Sequence, residues 1–150
     1  MSQVIKTPLN EELANAVWPS FIKNVADKHG SAGSIGNRGE QKAIEMLTNE
    51  YNPKAIIDHS EDPIMQLIGI DLTLVMYDGV MTIDVKAGKT ALYYDSKNYR
   101  WFLSIKDEWF LNSKRNEYIM NVGPKGDRYC LYRKQDMMNL LKAQPQLFKE

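Results

Sequence analysis

The chain has 150 residues, 43% hydrophobic and 25% charged, with 19 Lys/Arg against 19 Asp/Glu. That length and balance suit one globular domain, residues 1–150, large enough to bury a core. No run approaches the roughly 18 apolar residues of a membrane helix, the first residues lack the basic start and apolar run of a secretory signal, and a single cysteine excludes an intrachain disulfide, so an intracellular, cytoplasmic protein with no membrane partner is expected.

Residues 10–28 predict a helix with Asn10 as N-cap and Leu13, Ala16, Val17, Phe21 and Val25 as its apolar stripe; Pro19 should kink or divide it. The Gly- and Ser-rich stretch 29–39, HGSAGSIGNRG, reads as a loop able to bring backbone N–H groups close to a ligand. A second helix is predicted over about 38–50, with Ala43, Ile44 and Leu47 apolar, then a short strand at 54–58 and a loop, HSEDP. Ile68–Met76 and Val80–Lys86 read as strands joined by Tyr77-Asp78-Gly79, a hairpin signal. Residues 90–104 mix strand-like and turn-like stretches, and Ser104 with Asp107 resembles the capped start of a helix reaching about residue 113. Residues 117–122 and 128–133 are predicted strands separated by GPKGD, and a helix at about 135–143 closes the chain. Cys130, within the apolar run YCLY, reads as a packed thiol and not a nucleophile, while His29 and His59 fall in polar loops and suggest no catalyst. The order gives an α/β fold whose mixed sheet begins with an antiparallel hairpin and is flanked by helices.

Three charges interrupt that hairpin. Asp71 lies in its first strand, and Asp84 and Lys86 lie in its second. Strand alternation projects Asp84 and Lys86 from one face and Met81, Ile83 and Val85 from the other. Pairing across the hairpin can bring Asp71 near Asp84, where two carboxylates repel unless a cation lies between them. Oxygen ligands select a hard cation, Mg²⁺ or Mn²⁺, and a neighbouring lysine can orient water or neutralise charge on phosphate. The chemistry that combines metal, water and phosphate is phosphodiester hydrolysis. The plain alternative is an Asp–Lys ion pair on an exposed strand face, since D-x-K arises often by chance.

The segments GNRGEQKAIEML, GIDLTL and TIDVKAGK, over about residues 36–89, together resemble the PD-(D/E)XK nuclease superfamily. The resemblance implies a restriction-endonuclease-like core and Mg²⁺-dependent cleavage of DNA in preference to RNA. It makes Glu40 the helix glutamate, Asp71 the first-strand aspartate and Asp84 with Lys86 the second-strand pair. Glu40, Asp71 and Asp84 would then be metal ligands and Lys86 the residue acting on water. Within the superfamily, Gly36-x-x-x-Glu40 and the interval from Asp71 to Asp84 look most like archaeal-type Holliday junction resolvases, small dimeric enzymes, which implies a homodimer. Two departures stand: Ile70 occupies the place of the usual proline, and the second acid is Asp. Rival readings are a restriction-like or RNA-directed nuclease and a binding module without catalysis on the same scaffold.

Charge is segregated along the chain. Residues 1–85 hold six Lys/Arg and twelve Asp/Glu, a net of −6, and residues 86–134 hold eleven Lys/Arg and five Asp/Glu, a net of +6. An acidic site beside a basic segment suits a polyanion. Lys97, Arg100, Lys114 and Arg115, interleaved with Tyr93, Tyr94, Tyr99, Trp101 and Trp109, are candidates for nucleic-acid contact, as are Arg38 beside Glu40 and Lys89 beyond Lys86. The aromatic residues serve equally as core or dimer interface. Lys42, Glu45 and Glu50 read as solvated charges of the second helix.

Overall fold

A two-residue turn, Tyr77-Asp78, joins β3 (Leu72–Met76) to β4 (Gly79–Ala87), with Met76 paired to Gly79. The computed structural model describes residues 3–29, 34–87, 92–95, 100–103, 114–123 and 129–144. Around this hairpin lie β1 (Gln3–Lys6), β2 (Ala55–Asp58), β7 (Tyr118–Val122) and β8 (Tyr129–Arg133) in one six-stranded mixed open sheet, ordered β1-β2-β3-β4-β7-β8. β1 runs parallel to β2 and β4 parallel to β7; the other neighbours are antiparallel. β5 (Leu92–Asp95) and β6 (Arg100–Leu103) form a separate two-stranded antiparallel sheet. The helices are α1 (Glu11–Val17), α2 (Phe21–His29), α3 (Ser34–Tyr51), α4 (Pro63–Leu67) and α5 (Lys134–Ala143). The fold is therefore α/β, a mixed sheet flanked by helices, and no helix among the described residues is long and apolar enough to cross a membrane.

One face of the sheet makes the main core. Leu72, Leu74, Ile83, Met120 and Val122 cluster there with Ala43, Ile44 and Leu47 of α3, all essentially withdrawn from water. Each such side chain contributes about 1.5–3 kcal/mol of burial. The spacing of 43, 44 and 47 is the stripe that seats a helix on a sheet. α3 stops where Asn52 turns to a left-handed φ of 43° and its N–H caps the Thr48 carbonyl, with Pro53 next. A second cluster, Ala14, Phe21 and Val25, joins α1 to α2, with the rings of Trp18 and Phe21 5.3 Å apart.

Pro19 does divide the first predicted helix, since α1 ends at Val17 and α2 begins at Phe21. The expected loop at 29–39 is helical from Ser34 onward, because α3 extends four residues ahead of its predicted start. The expected strand from Ile68 begins at Leu72, after a short helix, α4, that the sequence reading missed. Its start signal was present: Asp62 caps the N–H groups of Ile64 and Met65, and Pro63 occupies the first helical position. The predicted helix from Ser104 to about 113 lies outside the described residues.

Candidate active site

The hairpin sets the two aspartates side by side. Leu72 pairs with Ile83, and one step beyond the end of β3 the Asp71 N–H donates to the Ile83 carbonyl at 2.9 Å. Asp71 is then fixed through both carboxylate oxygens. Oδ2 accepts from the Val85 N–H at 2.8 Å, and Oδ1 accepts from Gln66 Nε2 at 3.1 Å. Gln66 is itself held, donating to the His59 carbonyl at 3.1 Å. The Asp71 side chain thus takes the place of a main-chain acceptor opposite the Val85 N–H of β4, which brings its charge against Asp84.

Asp84 is 5% exposed and Asp71 8%. The Oδ2 atom of Asp84 is enclosed and accepts no hydrogen bond from an N–H or hydroxyl among the described residues; it lies 3.7 Å from Lys86 Nζ in an ion pair. Burial first, then the Asp71 charge and a side-chain hydrogen bond with Asp71, push the Asp84 carboxyl up to about 8, against the pull of Lys86 and Lys114. A buried carboxyl of this kind, next to a second carboxylate and with an oxygen still unsatisfied, fits a hard divalent cation: the ion would supply the positive charge that hydrogen bonds do not.

Glu40 is placed differently. It is 7% exposed and continues the Ala43, Ile44, Leu47 stripe, so it belongs to the side of the sheet that α3 covers. Tyr51, at the end of α3, lines a cavity of about 430 Å³ with Met81 and Tyr118, residues near the starts of β4 and β7. α3 therefore runs antiparallel to β4, and at about 1.5 Å per helical residue Glu40 comes level with the later residues of β4. Asp84 and Lys86 alternate with Ile83 and Val85 and project from the opposite face. Glu40 shares their end of the sheet but approaches from the other side. Among the described residues no three His, Cys, Asp or Glu side chains are gathered closely enough to hold a metal. The pair is assembled; the third acid is not.

Lys114 acts on Asp84 electrostatically, and its stem lies across Gly69. Arg115 is exposed, with its backbone N–H bonded to the Ile68 carbonyl at 2.8 Å. Lys89 and Lys97 lie outside the described residues, as do the side chains of Arg38 in α3 and Arg100 in β6. Lys42 pairs with Glu45 at 3.5 Å in solvent, and Glu50 is exposed, as expected of solvated charges. Cys130 is half-buried and burial pushes its thiol up, as befits a packed thiol.

Three contributors escaped the sequence reading: Gln66, His59 and Lys134. His59 is buried. Its Nε2 pairs with Thr73 Oγ1 at 2.8 Å, its backbone N–H donates to the Asp71 carbonyl at 2.9 Å, and its Nδ1 has no hydrogen-bond partner among the described residues. Burial lowers its pKa, opposed by Asp62, Asp58 and Asp71. No local signal marks Gln66, which bonds to residues five and seven positions away only because the chain folds back around α4, or Lys134, whose partner Lys114 lies twenty residues away.

Gly69 carries a prediction. Its φ is +81°, and a Cβ there would sit 2.7 Å from Cβ and Cδ of Lys114 and 2.8 Å from Cγ. Gly69→Ala is expected to cost about 2 kcal/mol, through the left-handed backbone and displacement of the lysine stem. A denaturant midpoint equal to wild type would show that the Lys114 stem yields freely.

Compared with protein-family models, curated proteins and solved structures, the chain gives no match in any of the three.

Proposed function

We propose that this chain is a divalent-metal-dependent nuclease with a restriction-endonuclease-like core of PD-(D/E)XK type, hydrolysing phosphodiester bonds in DNA as an endonuclease. The observation that carries the reading is the buried Asp71–Asp84 pair with an unsatisfied Asp84 oxygen and Lys86 beside it. Asp71 and Asp84 would hold Mg²⁺ or Mn²⁺, with Glu40, at the same end of the sheet, contributing through water. Such an ion, when bound, polarises a phosphate oxygen and lowers the pKa of its water. The protein's own part is positional. Gln66 and the Val85 N–H fix the Asp71 carboxylate, so little rearrangement remains when charge arrives. Lys86, with 36% of its side chain exposed, stands at the open edge of the pair, where an ammonium can face phosphate and hold a water. Structure-selective cutting by a homodimer, as in the small resolvases the sequence resembles, is the specific form of this reading.

A second reading has its own support. Asp71 is already committed to two hydrogen bonds, and no third ligand joins the pair among the described residues. On that reading the acids serve structure and the chain binds nucleic acid without cutting it. One experiment separates the two: purified protein incubated with four-way junction, duplex, flap and single-stranded DNA and with RNA, each in Mg²⁺ and in EDTA. Cleavage that needs the metal supports the nuclease; retained binding in EDTA with no cleavage anywhere supports the module.

A further inference from the structure

The segment 114–117 spans the hairpin. The Arg115 N–H bonds to the Ile68 carbonyl beside β3, and the Glu117 N–H bonds to both the carbonyl and Oγ1 of Thr82 on β4, at 3.2 and 3.0 Å. Thr82 alternates with Ile83 and shares the Asp84 face, so the bond to its Oγ1 places this crossing on the side of the hairpin that carries the acid pair. Lys114 begins the crossing. Its stem is laid over Gly69, where only a glycine leaves room, and its Nζ reaches the Leu67 carbonyl at 3.5 Å.

Lys134 meets it from the other side. As the first residue of α5, it pairs its N–H with the Glu117 carbonyl at 2.7 Å, which sets it level with Thr82. Its Nζ donates to the Lys114 carbonyl at 2.5 Å. That partner is a neutral carbonyl, so the hydrogen bond fixes the ammonium without cancelling its charge. Burial lowers the pKa of Lys134; the Asp84 charge opposes that shift and the Arg115 charge reinforces it. Lys134, Lys114 and Arg115 thus gather positive charge beside the Asp84 carboxylate, and a charge field of that sign attracts a polyanion. Along β4, Lys86 stands two residues after Asp84 and Lys134 is level with the residue two before it. The acid pair is thus bracketed by positive charge on both sides.

We infer that Lys134 and Lys114 form a seat for a second phosphate group, one neighbouring the phosphate at the acid pair along the same polyanionic chain. The inference rests on the nuclease reading for the identity of that chain. The seat would fix the register of the strand and leave the chemistry to Asp71, Asp84 and Lys86.

The test is binding of labelled duplex DNA by the full chain in Ca²⁺, measured by anisotropy across a salt series. Lys134→Gln keeps a donor for the Lys114 carbonyl and loses the charge. It should weaken binding about tenfold and shallow the salt slope by about 0.9, one phosphate contact. Lys134→Arg should bind like wild type, and Lys142→Gln, in the exposed last turn of the same helix, should change neither quantity. Melting curves confirm that each variant is folded; if Lys134→Gln is not, Lys114→Gln, whose backbone carbonyl is retained, must show the same shallower slope. Wild-type affinity and slope in the folded variants overturn the seat. A shallower slope without metal-dependent cutting by wild type keeps the seat and removes the nuclease reading. Metal-dependent cutting with an unchanged slope does the reverse.

Discussion

Asp84→Asn is expected to abolish Mg²⁺-dependent cleavage while DNA binding stays equal or tightens and the fold becomes more stable at alkaline pH. Cleavage is lost because a neutral amide is a poor substitute for the carboxylate that would hold the cation. Binding survives because a negative charge is removed from beside phosphate. The stability change follows from proton linkage. Unfolded, the Asp84 carboxyl ionises near 3.8; folded, burial and Asp71 hold it protonated up to about 8. Between those values the native state binds more protons than the unfolded state, so stability falls as pH rises through the window and the full cost is present above it. That cost is of the order of a few kcal/mol. Asparagine does not titrate, so the variant should lose this slope. The measurement is a set of thermal melts from about pH 5 to about pH 9. Wild-type stability relative to the variant should decline across the range, since the opposite slope that the lowered pKa of buried His59 gives both proteins cancels in the difference. Mg²⁺ should raise the wild-type midpoint most at the alkaline end, where no proton competes, and should leave the variant unmoved. A difference between wild type and variant that is flat with pH would show Asp84 ionised throughout, and full cleavage by the folded variant would remove Asp84 from the mechanism.

Lys86→Ala is expected to lower the cleavage rate by about 10²–10⁴-fold with little change in metal or DNA affinity. Lysine has no lone pair to offer a metal when charged, so its loss leaves the acid pair able to bind. What disappears is an ammonium 3.7 Å from Asp84 Oδ2, facing solvent at the edge of the site. The opposing view treats it as an ordinary exposed ion-pair partner, whose removal costs at most about 1 kcal/mol of stability and nothing in rate. Single-turnover cleavage with saturating enzyme decides between them, because it reports the chemical step apart from binding. A wild-type rate in that assay favours the structural pair. Loss of cleavage together with lost metal affinity would instead mean that Lys86 supports the ligands.

The hairpin and its charges were legible in the sequence because both rest on short-range chemistry. Tyr77-Asp78-Gly79 forces a reversal, period-two alternation assigns the faces, and together they bring Asp71 beside Asp84 with Lys86 two residues on. The α3 stripe and the division at Pro19 were equally local, set by helical spacing and by a residue that cannot continue a helix. Tertiary structure alone decided the rest. It buried His59, which its neighbours in sequence mark as a loop residue, and it tied Asp71 to Gln66 across the turn of α4. It also set Lys134 against Lys114, twenty residues apart, through the carbonyl at the start of a crossing segment. Glu40 shows the boundary most clearly: its helical position was readable, but which face of the sheet its helix would cover was not. Side-chain alternation fixes which residues share a face, while the choice of face for each helix depends on where all the apolar area can be buried at once.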